Sequence, residues 1–324
     1  MSDSEIFDYY RAKRALTEED KLDYLSLVCD APDLVAGAMA VAGLTLSLIE
    51  NGWDRERMLL LVQSVRLENA EDEMVTQERA IIGLLLVMIQ YDVEIRSDMN
   101  LLEQIQEVLS KDTDAAFAAL CNIARTTQVK RVIECNAQMT KELMPFIQNQ
   151  QHAEMQDVIK KYQAEIIAIA QLQLDQNYIF FKDLYKLPFF YQSPANWFRV
   201  WEEDSLKNVA EEDREDFDSM LNKWPICDSD KFALTNHQTY KMLKGLVQDR
   251  LQMDSLSEIG HGSNMDGLEL FSNLYTQQLY RYFTLSSFTQ AKPFEKVHQL
   301  RATIVYRLIV VGSEKQATIS KLLS

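Results

Sequence analysis

Val41-Ala-Gly-Leu-Thr-Leu-Ser-Leu-Ile49 lies over Ile81-Ile-Gly-Leu-Leu-Leu-Val-Met-Ile89 at an offset of 40 residues, with Gly43 falling on Gly83. Each run is followed by an acid-and-arginine linker, Asp54–Arg57 and Asp92–Arg96, and then by an amphipathic segment, Met58–Val65 and Leu101–Leu109. A buried helix with an amphipathic partner at a period near 40 is the pattern of stacked helical pairs of the HEAT or armadillo kind. The shared glycine fits it, because a missing Cβ lets two helices approach closely and repays a helix penalty of about 1 kcal/mol relative to Ala. A third, degraded unit is legible in Ala115–Ile123 followed by Val129–Ile147.

Composition agrees with an all-α chain. Only 9 glycines and 6 prolines occur in 324 residues, too few for the tight turns of a sheet-rich fold. The apolar runs 34–49 and 81–89 fall short of the roughly 20 strongly apolar residues of a membrane span, so no membrane span is expected. A net charge of −16 repels polyanions, and no arginine-rich stripe offsets it, which excludes nucleic acid as the main ligand. Cys29, Cys121, Cys135 and Cys227 are scattered without CxxC or His/Cys spacing. They read as free core thiols in a reducing, cytoplasmic setting, and no metal or cofactor is expected. The acidic, polar N-terminus carries no secretory signal.

The remaining chain reads as long helices from 128 to 174 with an interruption near Met144-Pro145, then an aromatic zone, an acidic run and further helices. Ten of the 24 residues from Tyr178 to Trp201 are aromatic, against 31 in the whole chain, so this zone must either grip a partner or wedge between helices. Leu187-Pro188 and Ser193-Pro194 force an irregular path there, and such a path stays ordered only if its rings bury, at about 1.5–3 kcal/mol each. That favours a wedge. The nine acids and two bases of 202–218 favour a partner rim instead. The candidate partner surface is Phe190, Tyr191, Trp197, Phe198 and Trp201, and its partner should present a basic patch.

Asp228 or Ser229 is expected to cap a helix running to about Arg250, and helices are expected over Leu268–Leu285 and Val297–Val311. The Asp228/Asp230 pair lacks the turn glycine and distal glutamate of a cation loop. Of the four histidines, His261 in the glycine-rich loop 259–267, with Asp266 nearby, is the best catalytic candidate. It matches no phosphate loop, nucleophile elbow or zinc motif, and a solvated loop histidine is the plainer reading. The division expected is a helical-repeat block over 1–176, an aromatic and acidic connector over 177–230, and a helical block over 231–324.

Several stretches carry a likeness: Arg79–Asp92, Ile123–Gln128 with Leu143-Met-Pro145, Asp183–Phe190, Asn196-Trp-Phe198 and Cys227-Asp-Ser-Asp-Lys231. Together they resemble segments of large, uncharacterised tetratricopeptide-repeat-containing proteins of Bacteroidetes bacteria. The resemblance implies an all-helical array, longer than this chain, and no assigned activity. A 34-residue tetratricopeptide consensus is missing, so this chain is expected to be a fragment of such a protein. The function expected is a non-enzymatic scaffold for protein–protein interaction, with an enzyme built around His261 and Asp266, or a purely structural segment, as the alternatives.

Overall fold

The computed structural model describes the chain apart from residues 31–33, 66–73, 150, 203–204, 207–208, 212–213, 224–225 and 236–266. Among the described residues every regular element is helical. The two apolar runs form α3 (Leu34–Asn51) and α5 (Met74–Gln90), which pack against each other with Leu44, Leu46, Leu48, Leu84, Leu86 and Met88 fully buried. At about 1.5–3 kcal/mol per large apolar side chain, these two helices are a leading source of stability.

The paired glycines do different jobs. A Cβ on Gly83 would overlap the Thr45 side chain of α3, so Gly83 sets the α3–α5 approach. A Cβ on Gly43 would stand 2.5 Å from the Phe7 carbonyl of α1 (Asp3–Ala12), so Gly43 sets the α1–α3 approach. Ser2 caps α1 reciprocally with Glu5, and Thr17 does the same with Asp20 at the start of α2 (Glu18–Leu25).

The amphipathic segments are α4 (Arg55–Val65) and α7 (Met99–Lys111), with a one-turn helix, α6 (Asp92–Ser97), inserted before α7. Next comes α8 (Thr113–Arg125), which packs on α5, followed by α9 (Val129–Gln148) and α10 (His152–Gln171) as an antiparallel hairpin. Bonds recur between positions about 40 apart: Tyr24 to Ser64 (2.8 Å), Arg55 to Asp98 (2.6 Å) and Tyr91 to the Leu48 carbonyl (2.8 Å).

Two expected boundaries move. The helix interruption expected at Met144-Pro145 falls instead after Gln148: Pro145 lies inside α9, where it removes its own N–H from the ladder without ending the helix. The helix expected over Val297–Val311 is a 3₁₀ stretch, Pro293–Ala302, followed by α16 (Ile304–Ile309). Thr303 breaks it, with extended backbone at ψ 159° and a side chain that caps α16 by accepting from the Tyr306 N–H.

Within the stretch 177–230 lie α11 (Tyr178–Phe181), α12 (Pro188–Gln192) and α13 (Arg214–Lys223); α14 (Asp228–Thr235) straddles its end, and α15 (Gly267–Leu285) and finally α17 (Ser313–Leu322) follow. α15 lies on α5 and α8, and α17 lies on α8. One apolar cluster runs from Ile6 to Leu322, so the N-terminal block, connector and C-terminal block share a core. No described helix is long and apolar enough to cross a membrane.

Candidate functional site

The connector threads between the helical blocks by burying its rings. Trp197 stacks on Tyr185 at 4.6 Å, meets Phe190 at 5.1 Å and Tyr282 of α15 at 5.7 Å, and donates its indole N–H to the Phe190 carbonyl at 2.9 Å. Phe198 stacks on Phe7 of α1 at 5.3 Å and meets Tyr282 edge to face at 5.0 Å. Phe190, Trp197 and Phe198 are each at most 1% exposed, which corrects their assignment to a partner surface: they are the wedge. Tyr191 keeps 47% of its surface open, and Trp201 is half-buried with its edge 5.0 Å from Phe232. Of the five candidate partner residues, only these two reach the solvent.

Two buried arginines tie the connector to both blocks. Arg79 of α5 donates to the Phe198 carbonyl at 2.8 Å and the Ala38 carbonyl at 3.4 Å, lies 4.9 Å over the Tyr275 ring and stands 4.0 Å from Asp228. Burial pulls Arg79 down from the usual guanidinium range, with Tyr275 and Asp228 opposing. Burial pushes the Tyr275 phenol up to about 12.

Arg281 of α15 is fully buried between two carboxylates. It holds Asp175 bidentately, at 2.8 Å and 3.1 Å, and both oxygens of Asp230. Tyr185 donates to Asp230 at 2.8 Å, the Cys227 thiol donates to it at 3.0 Å, and Ser229 lies 2.6 Å from the Tyr185 hydroxyl. Burial works against the Arg281 cation, but the two carboxylates more than offset it and hold its pKa well above the ordinary value. Burial raises the Asp230 carboxyl, with Arg281 pulling the other way. Burial, then the Asp230 charge, drives the Cys227 thiol far up, which suppresses the reactive thiolate. A thiol, an acid and a phenol therefore meet here, yet Cys227, Ser229, Asp230 and Arg281 are at most 1% exposed. The cluster is a sealed fastener joining residues 175, 185, 227–230 and 281.

Asp228 and Asp230, two residues apart, are separated in role: Asp228 pairs with Lys231 at 3.5 Å while Asp230 faces inward to Arg281. The helix expected after them starts at Asp228, and its course beyond Thr235 lies outside the described residues. His237, His261 and Asp266 also lie outside them, and His298 is exposed. Among the described residues no group of three His, Cys, Asp or Glu side chains is placed to hold a metal ion.

A polar notch of about 10 Å³, open to solvent on one side, is lined by Asn122, Arg125, Gln173, Asn273, Gln277 and Tyr280. Its lip is Gln173, which turns the chain out of α10 at φ 54° and buries an Oε1 that has no hydrogen-bond partner. The notch is smaller than the ~300–1,000 Å³ of ordinary ligand pockets.

No protein-family model, curated protein or solved structure matches this chain. Four of the segments quoted above touch one another: Arg79 meets Phe198 and Asp228, and Tyr185 meets Asp230.

Proposed function

We propose that this chain is a non-enzymatic helical scaffold for protein–protein interaction, built as an array of helical pairs of the HEAT, armadillo or tetratricopeptide kind. The observation that carries the reading is the split within the aromatic connector. Its inner rings and the charged groups around them are sealed, while Tyr191 and part of Trp201 stay open to solvent, and the acidic stretch 202–218 follows them in the sequence. Aromatic anchors next to a charged rim are the usual make-up of an interface whose partner carries the opposite charge. Recurring contacts at a spacing near 40 support the array, because stacked units touch chiefly their neighbours.

The partner is a protein with a basic patch, and the setting is a reducing, cytoplasmic one in which the four thiols stay free. Capture by immobilised wild type and by a Tyr191→Ala/Trp201→Ala variant, each in low and in ~0.5 M salt, tests the reading. A protein held by wild type in low salt, and lost both from the folded variant and in high salt, supports it. Equal capture by wild type and variant refutes the patch.

A further inference from the structure

The α9–α10 hairpin departs from the rest of the molecule. Its base is anchored by Val129, Val132 and Cys135 on α9 and by Ile169 on α10. Between them no side chain described from 136 to 168 is buried. Met139, Leu143 and Phe146 on α9, with Met155, Val158 and Tyr162 on α10, recur at helical spacing and are only half covered. Met144, Ile147, Ile159 and Ile167 are 37–47% exposed. Polar links brace the pair: Arg131 holds Glu165 at 2.6 Å and 3.0 Å, and Glu142 accepts from Lys161 at 2.6 Å and Tyr162 at 2.8 Å. The result is a stiff two-helix arm whose apolar seam two helices alone cannot close.

Charge says what closes it. Residues 129–171 carry five basic and five acidic side chains, so the arm is neutral and the whole net charge of −16 resides in the body. We propose that the arm pairs with the arm of a second copy of this chain, antiparallel about a two-fold axis, to make a four-helix bundle. Body-to-body association of two such anions is opposed by their own field. Arm-to-arm pairing is not: residues 136–148 rise ~20 Å, so antiparallel arms hold the two bodies at opposite ends of the bundle, beyond the ~8–10 Å screening length. Two helices about 10 Å wide over that length offer a face near the low end of specific interfaces, which points to a micromolar dimer rather than an obligate one.

The test is light scattering or sedimentation from ~1 to ~200 µM, a range that brackets a micromolar Kd. It compares wild type, Ile147→Glu/Ile159→Glu, and a control, Val93→Glu, at an exposed apolar position off the arm. Wild type and control should dimerise alike, and the arm variant should dissociate at least tenfold more readily with unchanged helicity. Raising salt to ~0.5 M should leave the dimer intact or tighten it, because only the repulsion between bodies is screened. A wild type that stays monomeric throughout overturns the proposal, as does a dimer indifferent to the arm substitutions. A monomer whose arm is covered by a different protein does so too. Tyr191→Ala/Trp201→Ala leaves the dimer untouched in either case, so this proposal and the partner patch fail separately.

Discussion

Replacing Arg281 with methionine tests whether the buried cluster is a fastener. The substitution keeps an aliphatic stem and removes the guanidinium, which lies over the Phe181 and Tyr185 rings and is the cation held between Asp175 and Asp230. Breaking a buried pair by deleting one partner costs about 3–5 kcal/mol, because the remaining charge has neither solvent nor counter-ion. Here two carboxylates are orphaned, so the upper end applies. With an unfolding entropy near 2.1 cal/mol/K per residue over the 324 residues, a loss of about 5 kcal/mol lowers the melting temperature by about 7 °C. Urea titration followed by circular dichroism gives the free energy, and the pH dependence identifies its source. Without Arg281 nothing opposes the burial that raises the Asp230 carboxyl, so the variant is penalised while Asp230 is charged and relieved as it protonates. The deficit relative to wild type should therefore shrink as pH falls below about 5. The triple variant Arg281→Met/Asp175→Asn/Asp230→Asn should recover most of the loss, since neutral replacements of a buried ionic group are often tolerated. A loss under about 1 kcal/mol, or one independent of pH, would refute the reasoning.

Three further outcomes are expected. Gly83→Ala should cost about 1–3 kcal/mol by driving a methyl into Thr45, and Thr45→Ala should rescue much of it. Gly43→Ala meets the Phe7 backbone, has no such rescue, and should cost more in the same urea titrations. Asp20 is buried, which works against its charge, yet bonds from Lys13, Tyr9 and Thr17 hold its carboxyl far below the ordinary range. Its stabilisation is present above about pH 4 and is lost as pH falls towards the depressed folded pKa, so Asp20→Asn should be less stable at neutral pH and lose less on acidification. In thiol titration of the native chain the exposed Cys29 should react first, while Cys121, Cys135 and Cys227 react only on unfolding.

The α3–α5 pair was legible because its signal is local: an uninterrupted apolar run needs no partner to be recognised, and Gly43 over Gly83 sits within one. The same run hid the fact that the glycines face different neighbours, since that depends on α1, whose packing on α3 no spacing announces. The aromatic zone was legible as a wedge from its prolines, but which rings stay outside depended on how Tyr185, Phe190 and Trp197 nest, and only Tyr191 and Trp201 escape. Arg281 gave no signal at all. Its partners lie 51 and 106 residues away, and an isolated arginine in an amphipathic helix looks like any solvated one.

This asymmetry bears on the array reading itself. In an open solenoid each unit touches only its neighbours, and removing the end of the chain would shorten it without dissolving it. Here the C-terminal helices return onto the first units. Tyr282 reaches Glu50 at 3.1 Å, Lys296 reaches the Gln90 carbonyl at 2.8 Å, and Gln128 reaches the Leu322 carbonyl at 2.9 Å. Long-range closure of this kind makes unfolding cooperative across the helical core, because α5 loses buried surface whichever end detaches. A truncation ending at residue 176 should therefore expose the α15-facing sides of α5 and α8, and lose secondary structure or aggregate. A truncated block that melted with an unchanged midpoint would show that the repeats stand without the connector and α15. The sealed arginines would then be ornament to the array, and Arg281→Met should in that case cost little as well.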